Sequence, residues 1–361
     1  MAAALKDRYN QDFIGKLSQR IKNHYAKFDE GKFQQEIFDN NWQQRELKQR
    51  LRHITETLHR FLPPNYLKSL EILKSAAPYF SGFEPMFFPD YVELYGLNDW
   101  DESILALEHF TQYSSSEFAV RPFILQDKKK MMRQMLAWTS HESHHVRRLA
   151  SEGCRPRLPW AMSLPVFKKD PGAILKVIEP LKKDTSDYVR RSVANNLNDI
   201  SKDHPNTVLN IAEKWLGQSP ETDWVIKHAC RSLLKQGNHQ ALKLFGFTPP
   251  HHIQLSELCL TRSSIRIGES LEFGFTLDAK KSLGKLRVEF AIDYKKSHGG
   301  HSRKIFMLSE TTLPSKTKEF LKKHSLQQRS TRKHYPGKHH LTIVINGVAM
   351  STIDFSVTSE R

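Results

Sequence analysis

Val146-Arg147-Arg148-Leu149-Ala150, Val189-Arg190-Arg191-Ser192-Val193 and Val225-Ile226-Lys227-His228-Ala229 share one pattern. From the first Val of each, apolar residues recur four and eight positions on, as Val146/Ala150/Cys154, Val189/Val193/Leu197 and Val225/Ala229/Leu233. That period follows one side of an α-helix. A Ser or Thr stands three residues before each Val (Ser143, Ser186, Thr222), where a helix N-cap is expected. The basic residues that follow each Val share a second face, repeated from copy to copy.

The first two copies start at Val146 and Val189 and the third at Val225, a spacing within reach of HEAT-type helix pairs. Such pairs stack into a superhelix that shows the same face of successive helices along one concave surface. Here that surface carries positive charge. Upstream the chain reads as helix after helix. Leu47, Leu51, Ile54 and Leu58 trace one face of an early helix that Pro63-Pro64 stops. Further helices are expected over 66–77, 103–113, 117–125 and 128–139, with the aromatic, proline-broken stretch 81–89 as a connection. Val120-Arg121 reads as a degenerate copy of the motif.

Near Pro249-Pro250 the pattern changes to alternating segments, 264–277, 285–294, 304–308 and 341–357. The last contains Asn346-Gly347 between apolar runs, the strongest short-range hairpin signal. Several short strands over the last part of the chain suggest a β-sandwich of immunoglobulin type, without its cysteine pair or central Trp. The expected architecture is mainly α: a HEAT-like α-helical repeat superhelix over residues 1–248, then a small C-terminal Ig-like β-sandwich over 251–361.

The chain has 361 residues, 26% of them charged and 39% hydrophobic, with 55 basic against 39 acidic side chains, a net +16. Such an excess favours a polyanionic partner, and nucleic acid leads the candidates. Residues 251–361 hold 19 Lys/Arg against 10 Asp/Glu, more than half of that excess. In this region Lys295, Lys296 and His298 sit in a Gly-rich loop suited to a phosphate backbone, and the stretch Arg329-Ser330-Thr331-Arg332-Lys333-His334 is a second basic candidate. Both are equally readable as solvated loops. No apolar run nears the roughly 20 residues that span a bilayer, and the start lacks the apolar core of a secretion signal. Cys154, Cys230 and Cys259 are scattered, which fits a reducing, cytoplasmic location. The histidines His141, His144 and His145 lack a matching ligand cluster, so no metal and no cofactor is expected.

Two acids stand out against the basic face. Glu117 holds the position of the Ser or Thr in the degenerate copy, and Glu152 lies one turn beyond Arg148. Glu117 is readable as a favourable charge at a helix N-terminus, and Glu152 as half of an i,i+4 pair. Alternatively, both place carboxylates in a basic cleft to meet a cationic substrate. Gly153 and two prolines break the helix in Glu152-Gly153-Cys154-Arg155-Pro156-Arg157-Leu158-Pro159-Trp160, which projects Arg155 and Arg157 with Trp160 behind. Basic residues interleaved with an aromatic suit phosphates and an exposed base; packing between repeats is the other reading of Trp160.

The Val-Arg-Arg helices, Ser151–Trp160 and the run from Val189 to Asp199 together resemble the AlkC family of bacterial DNA alkylation-repair glycosylases. The resemblance covers essentially the whole chain, and Arg155 to Trp160 is its most specific part. It implies a HEAT-like superhelix with an added Ig-like domain. It also implies excision of cationic N-alkylated bases such as 3-methyladenine, and of 3-methylcytosine in a wider range, from double-stranded DNA by a monomer without cofactor. The sister AlkD family uses tryptophans and an aspartate in its lesion cleft, whereas this sequence has no Trp near Asn195-Asn196. The expected site is therefore Glu117 and Glu152 as catalytic acids, with Trp160 against the lesion. Arg147, Arg148, Arg155, Arg157, Arg190, Arg191, Lys227, Lys295, Lys296 and His298 are expected on DNA. A base alkylated at N3 already carries positive charge, so the carboxylates have two tasks, to stabilise the sugar cation and to orient water. A non-catalytic helical-repeat scaffold for nucleic acid is the alternative.

Overall fold

The three Val-centred stripes form the buried faces of three helices, His144–Gly153, Asp187–Ile200 and Pro220–Ala229, in the computed structural model, which describes residues 4–328 and 332–359. Val146, Ala150, Cys154, Val189, Val193, Leu197, Val225 and Ala229 have no exposed surface. The third helix ends at Ala229, so Leu233 falls beyond it on a short separate helix, Arg231–Lys235. Ser143 and Ser186 occupy the expected N-cap positions, although neither side chain makes the capping bond. Thr222 does not: it lies inside its helix and exchanges hydrogen bonds with Ser219, which precedes the first helical residue.

The three helices stack side by side, with Lys128–Trp138 and Gly172–Leu181 forming a second layer behind them. This is the helical repeat body. Upstream, Leu47–Phe61 and Tyr66–Ala76 match the expected helices closely, with Pro63-Pro64 between them. The stretch 81–89 is not wholly a connection, since the helix Phe87–Tyr95 begins within it. Pro89 sits in its first turn, where no backbone N–H is needed.

One device recurs between repeats. Arg147 donates from Nη1 to the carbonyls of His141 and Glu142 at 2.9 and 2.7 Å. Arg190 donates from Nη1 to those of Asp184 and Thr185, at the same offsets upstream, at 2.7 and 3.0 Å. Each arginine closes the loop that precedes its own helix. Arg147 also grips the Asp184 carboxylate of the next repeat in a bidentate pair at 2.6 and 2.9 Å, and that carboxylate accepts the Ser186 N–H at 2.8 Å. The third copy has Ile226 at this position, fully buried.

The chain divides into two compact units, Met1–His204 with Trp215–Ala229, and Pro205–Lys214 with Cys230–Arg361. The change of character read at Pro249-Pro250 marks where strands begin, while the second unit also takes in helical residues before it. Its strands are β1 (Ile253–Leu255), β2 (Cys259–Leu260), β3 (Ser264–Arg266), β4 (Ser270–Ala279), β5 (Gly284–Lys295), β6 (His301–Leu313), β7 (Thr317–Ser325), β8 (Gly337–Ile345) and β9 (Val348–Thr358). In one sheet β4 pairs with β7 on one edge and with β1 and β2 along the other. The second sheet runs β3-β9-β8-β5-β6, antiparallel except for β3 beside β9. Alternate residues of β4 (Leu271, Phe273, Phe275, Leu277) meet Leu286, Val288, Phe290, Ile292, Leu341, Ile343 and Ile345 in the sandwich core. Asn346 and Gly347 both have positive φ (46° and 80°), as a two-residue type I′ hairpin requires.

The covering of β5 explains where the second unit begins. Leu286 to Ile292 are buried in unbroken succession, so both faces of that strand are covered. The Asn346 amide donates to the Thr248 carbonyl at 2.8 Å, and a Cβ on Gly347 would meet Leu242 at 2.6 Å. The helix His239–Leu244 thus packs against the hairpin turn. Strand β7 has no counterpart among the expected segments, since Phe320 is its single buried residue.

Burial works to raise the Asp184 carboxyl, but Arg147, the Ser186 N–H and Arg190 together hold it below the usual carboxylate range. A depressed pKa contributes stability that is present above the unfolded value and lost as pH falls through the folded one. Asp184→Asn should lower unfolding free energy by about 2 kcal/mol near neutrality. Its difference from the parent in urea denaturation should shrink below about pH 4.

Candidate active site

A cleft of about 420 Å³ opens in the first unit, lined among others by Glu117, Phe118, Arg148, Trp160, Tyr188 and His145. Its chemistry centres on a row of alternating charges. The Glu117 carboxylate accepts from the Arg148 guanidinium and from Ser115 Oγ, the latter at 2.7 Å. Arg148 Nη2 lies 3.3 Å from Glu152 Oε1, and the same oxygen accepts from Arg155 Nη1 at 2.6 Å. Arg155 Nε reaches Asp199 Oδ2 at 2.9 Å, and Lys202 closes the row 3.3 Å from Asp199 Oδ1.

The expected acids therefore have different surroundings. Glu117 lines the cleft. Glu152 is 5% exposed, and its second oxygen accepts from Ser192 Oγ at 2.6 Å. It stands behind Arg148, away from the cleft wall. Of the two readings of Glu152, the i,i+4 pair with Arg148 is present and belongs to a wider buried network, whereas Glu152 is not among the residues that line this cleft. Burial works against the charge on Arg148, but Glu152, Glu117 and Tyr188 outweigh it, and the guanidinium is held above its ordinary value. Its Cζ lies 4.9 Å from the Tyr188 ring centre. Burial, together with His144 and Arg148, pulls the His145 imidazole down, which favours its neutral form.

Trp160 is 68% exposed and takes φ +65°, a left-handed conformation uncommon for a bulky residue. The Lys48 ammonium holds its carbonyl at 2.7 Å. The exposed indole on the cleft wall is unlike a ring packed between repeats.

The arginines of the repeat divide by position. Arg147, Arg155 and Arg190 are turned inward, contrary to the expected projection of Arg155 and the shared basic face, because each closes a loop or a buried ion pair. Arg157 is paired with Asp203 at 2.7 Å and is part-exposed. Arg191 keeps 58% of its side chain exposed, beside Asp187, with its guanidinium over the Trp224 ring. Lys227 is part-exposed on the next helix. In the second unit, Lys296 and His298 are exposed and Lys295 part-exposed at the β5–β6 turn. Of the other basic stretch, Arg329, Ser330 and Thr331 lie outside the described residues. Arg332 is laid over the Tyr294 and Phe306 rings, and His334 is buried.

A family model described as "DNA alkylation repair enzyme" matches residues 110–233, the span that holds Glu117, Glu152 and Trp160. Another, described as the C-terminal Ig-like domain of the uncharacterised protein YhaZ, matches 254–359. The uncharacterized protein YhaZ of Bacillus subtilis (strain 168) is 48% identical over 356 residues, covering 98% of this chain and 99% of the relative. A solved structure of Pseudomonas fluorescens alkylpurine DNA glycosylase AlkC, bound to DNA containing an abasic site analogue, is 38% identical with a TM-score of 0.94. That match covers 99% of this chain and all of the other. The chain belongs to the AlkC family of DNA alkylation-repair proteins.

Within this AlkC-family chain, Asp199, Ser192, Ser115, Tyr188 and Lys48 join the site without having been singled out from sequence. Ser192 and Asp199 both lie in the run from Val189 to Asp199, but nothing local shows an aspartate meeting an arginine 44 positions away. Among the described residues no three His, Cys, Asp or Glu gather as metal ligands. No helix among them is long and apolar enough to cross a membrane.

The network makes the two glutamates unequal in stability. Glu152→Gln leaves Arg148 and Arg155 without the charge between them and should cost about 3 kcal/mol. Glu117→Gln, at the cleft edge, should cost about 1 kcal/mol. Chemical denaturation of the two variants checks the order.

Proposed function

We propose that this protein is a monofunctional DNA glycosylase that hydrolyses the N-glycosidic bond of cationic alkylated bases, 3-methyladenine first, in double-stranded DNA. The observation that carries the reading is a carboxylate, Glu117, and an exposed indole, Trp160, on one cleft within a basic protein. A base alkylated at N3 leaves without needing strong protonation. The requirements that remain are a negative charge near the developing cation at C1′ and an oriented water. Glu117, paired with Arg148, supplies both. Glidingly similar logic serves glycosidases, whose carboxylates face a comparable sugar cation. Glu152 acts with it through Arg148, holding that guanidinium and balancing its charge. Trp160 contacts the lesion or the deoxyribose by stacking and apolar contact.

Arg191, Lys227 and Arg157 of the first unit and Lys295, Lys296 and His298 of the second are the proposed phosphate contacts. Arg147, Arg155 and Arg190 support the backbone that carries the others. The likeness to AlkC, which was solved on DNA with an abasic site analogue, supports DNA as the partner. We further propose that the protein works as a monomer in the cytoplasm, without metal or cofactor. The alternative, a non-catalytic scaffold, has the same basic surface but no use for Glu117 in it.

Chromatography of bases released from methylated DNA tests the reading, with 3-methyladenine the expected product. Glu117→Gln should slow release by about a hundredfold with DNA binding largely kept, and Glu152→Gln should slow it less. Normal rates in both variants would overturn the assignment. Replacing Lys295 and Lys296 with Glu should reduce the slope of log affinity against log salt by roughly 2. An unchanged slope would remove that loop from the interface.

A further inference from the structure

The segment that carries Trp160 leaves its helix at Gly153 and must hold a bulky residue at positive φ. Beside the Lys48 bond to the Trp160 carbonyl and the Leu164 N–H bond to the Pro156 carbonyl, that loop is bridged by Arg121, the arginine of the degenerate repeat. Its side chain is fully buried. Nη1 donates to the carbonyls of Gly153 and Arg155 at 3.0 and 2.9 Å, and Nε donates to that of Met162 at 2.7 Å. These three carbonyls stand on both sides of Trp160, so one guanidinium ties the two ends of the loop together. Close packing makes the reach possible: a Cβ on Gly153 would meet Val120 Cγ2 at 2.5 Å, so the helix that bears Arg121 lies directly on the helix end.

The arrangement is costly as a purely structural device. None of the hydrogen bonds of Arg121 goes to a carboxylate, and its Nη2 has no hydrogen-bond partner. A buried cation without a bonded counter-ion is an expensive way to satisfy carbonyls. Burial pulls the guanidinium down to about 10, still charged at neutral pH. The planar fork has a property that neutral donors lack, since it fixes several carbonyls in one rigid geometry.

We propose that Arg121 is a positioning residue that sets the place and orientation of the Trp160 indole in the cleft. It acts through the loop and touches neither DNA nor lesion. The inference rests on the proposed role of Trp160 for its catalytic consequence, while the positioning itself can be read separately.

The test is a double-mutant cycle on the full-length protein with Arg121→Met, Trp160→Phe and the pair. The cycle measures single-turnover base release from methylated DNA, and acrylamide quenching of the Trp160 fluorescence gives a second readout. The Trp160 signal is obtained as the difference from the matching Trp160→Phe protein. Arg121→Met should slow release about tenfold or more, with DNA affinity little changed. The same substitution should add little in the Trp160→Phe background. It should also alter the quenching of Trp160. Additive rate losses, or an unaltered Trp160 signal, would overturn the proposal. Should circular dichroism show that Arg121→Met does not fold, Arg121→Lys keeps the charge but not the fork, and should change both readouts in the same direction. A moved Trp160 signal with a normal excision rate in Trp160→Phe would support Arg121 as the positioner and refute the lesion role of Trp160.

Discussion

The ion row from Glu117 through Arg148, Glu152 and Arg155 to Asp199 is the constraint on which the first unit's site depends. Its members come from four places: the loop before Val120, the helix His144–Gly153, the segment after that helix, and the helix Asp187–Ile200. Buried charges are costly unless paired, and removing one partner leaves its neighbours uncompensated. Each member therefore fixes the position of the next. The cleft receives the end of the row, the Glu117 carboxylate paired with the arginine behind it.

This arrangement resolves a conflict in the chemistry. An acid weakens a surface meant for phosphates, yet a developing sugar cation needs one close by. Pairing Glu117 with Arg148 at the cleft edge places an acid there while the local sum of charge stays near balance. The positive character of the surface is left to residues further out, such as Arg191, which keeps most of its side chain exposed. Arginine thus serves two separate purposes in one motif. The first arginine of each Val-Arg-Arg pair closes its own loop, and the second faces the cleft or solvent.

The second unit shows a comparable economy in its hairpin. Asn346-Gly347 turns the chain between β8 and β9, and the same Asn side chain ties Thr248 and the β5 backbone to that turn. The segment after the helix His239–Leu244 is thereby bound to the sandwich. On β7 a single buried residue leaves the rest of the strand free to be polar.

Much of this was legible in the sequence, for physical reasons that differ from residue to residue. The helical stripes, Pro63-Pro64 and Asn346-Gly347 are local signals: burial period, a missing N–H and positive φ act over a few residues and so can be read along the chain. Glu117, Glu152 and Trp160 stood out because each broke a local pattern. The fates of the arginines were not legible, because Arg147 meets Asp184, Arg155 meets Asp199 and Arg121 meets Met162 only after repeats have stacked. Strand β7 escaped for a related reason, since its pairing with β4 supplies the order that its own polar sequence does not. The sequence by itself determined the helical stripes of the repeats, the change from helix to strand near Pro249-Pro250 and which acids stand among the bases. Tertiary structure alone decided which charges are buried, because burial depends on partners that lie tens of residues apart.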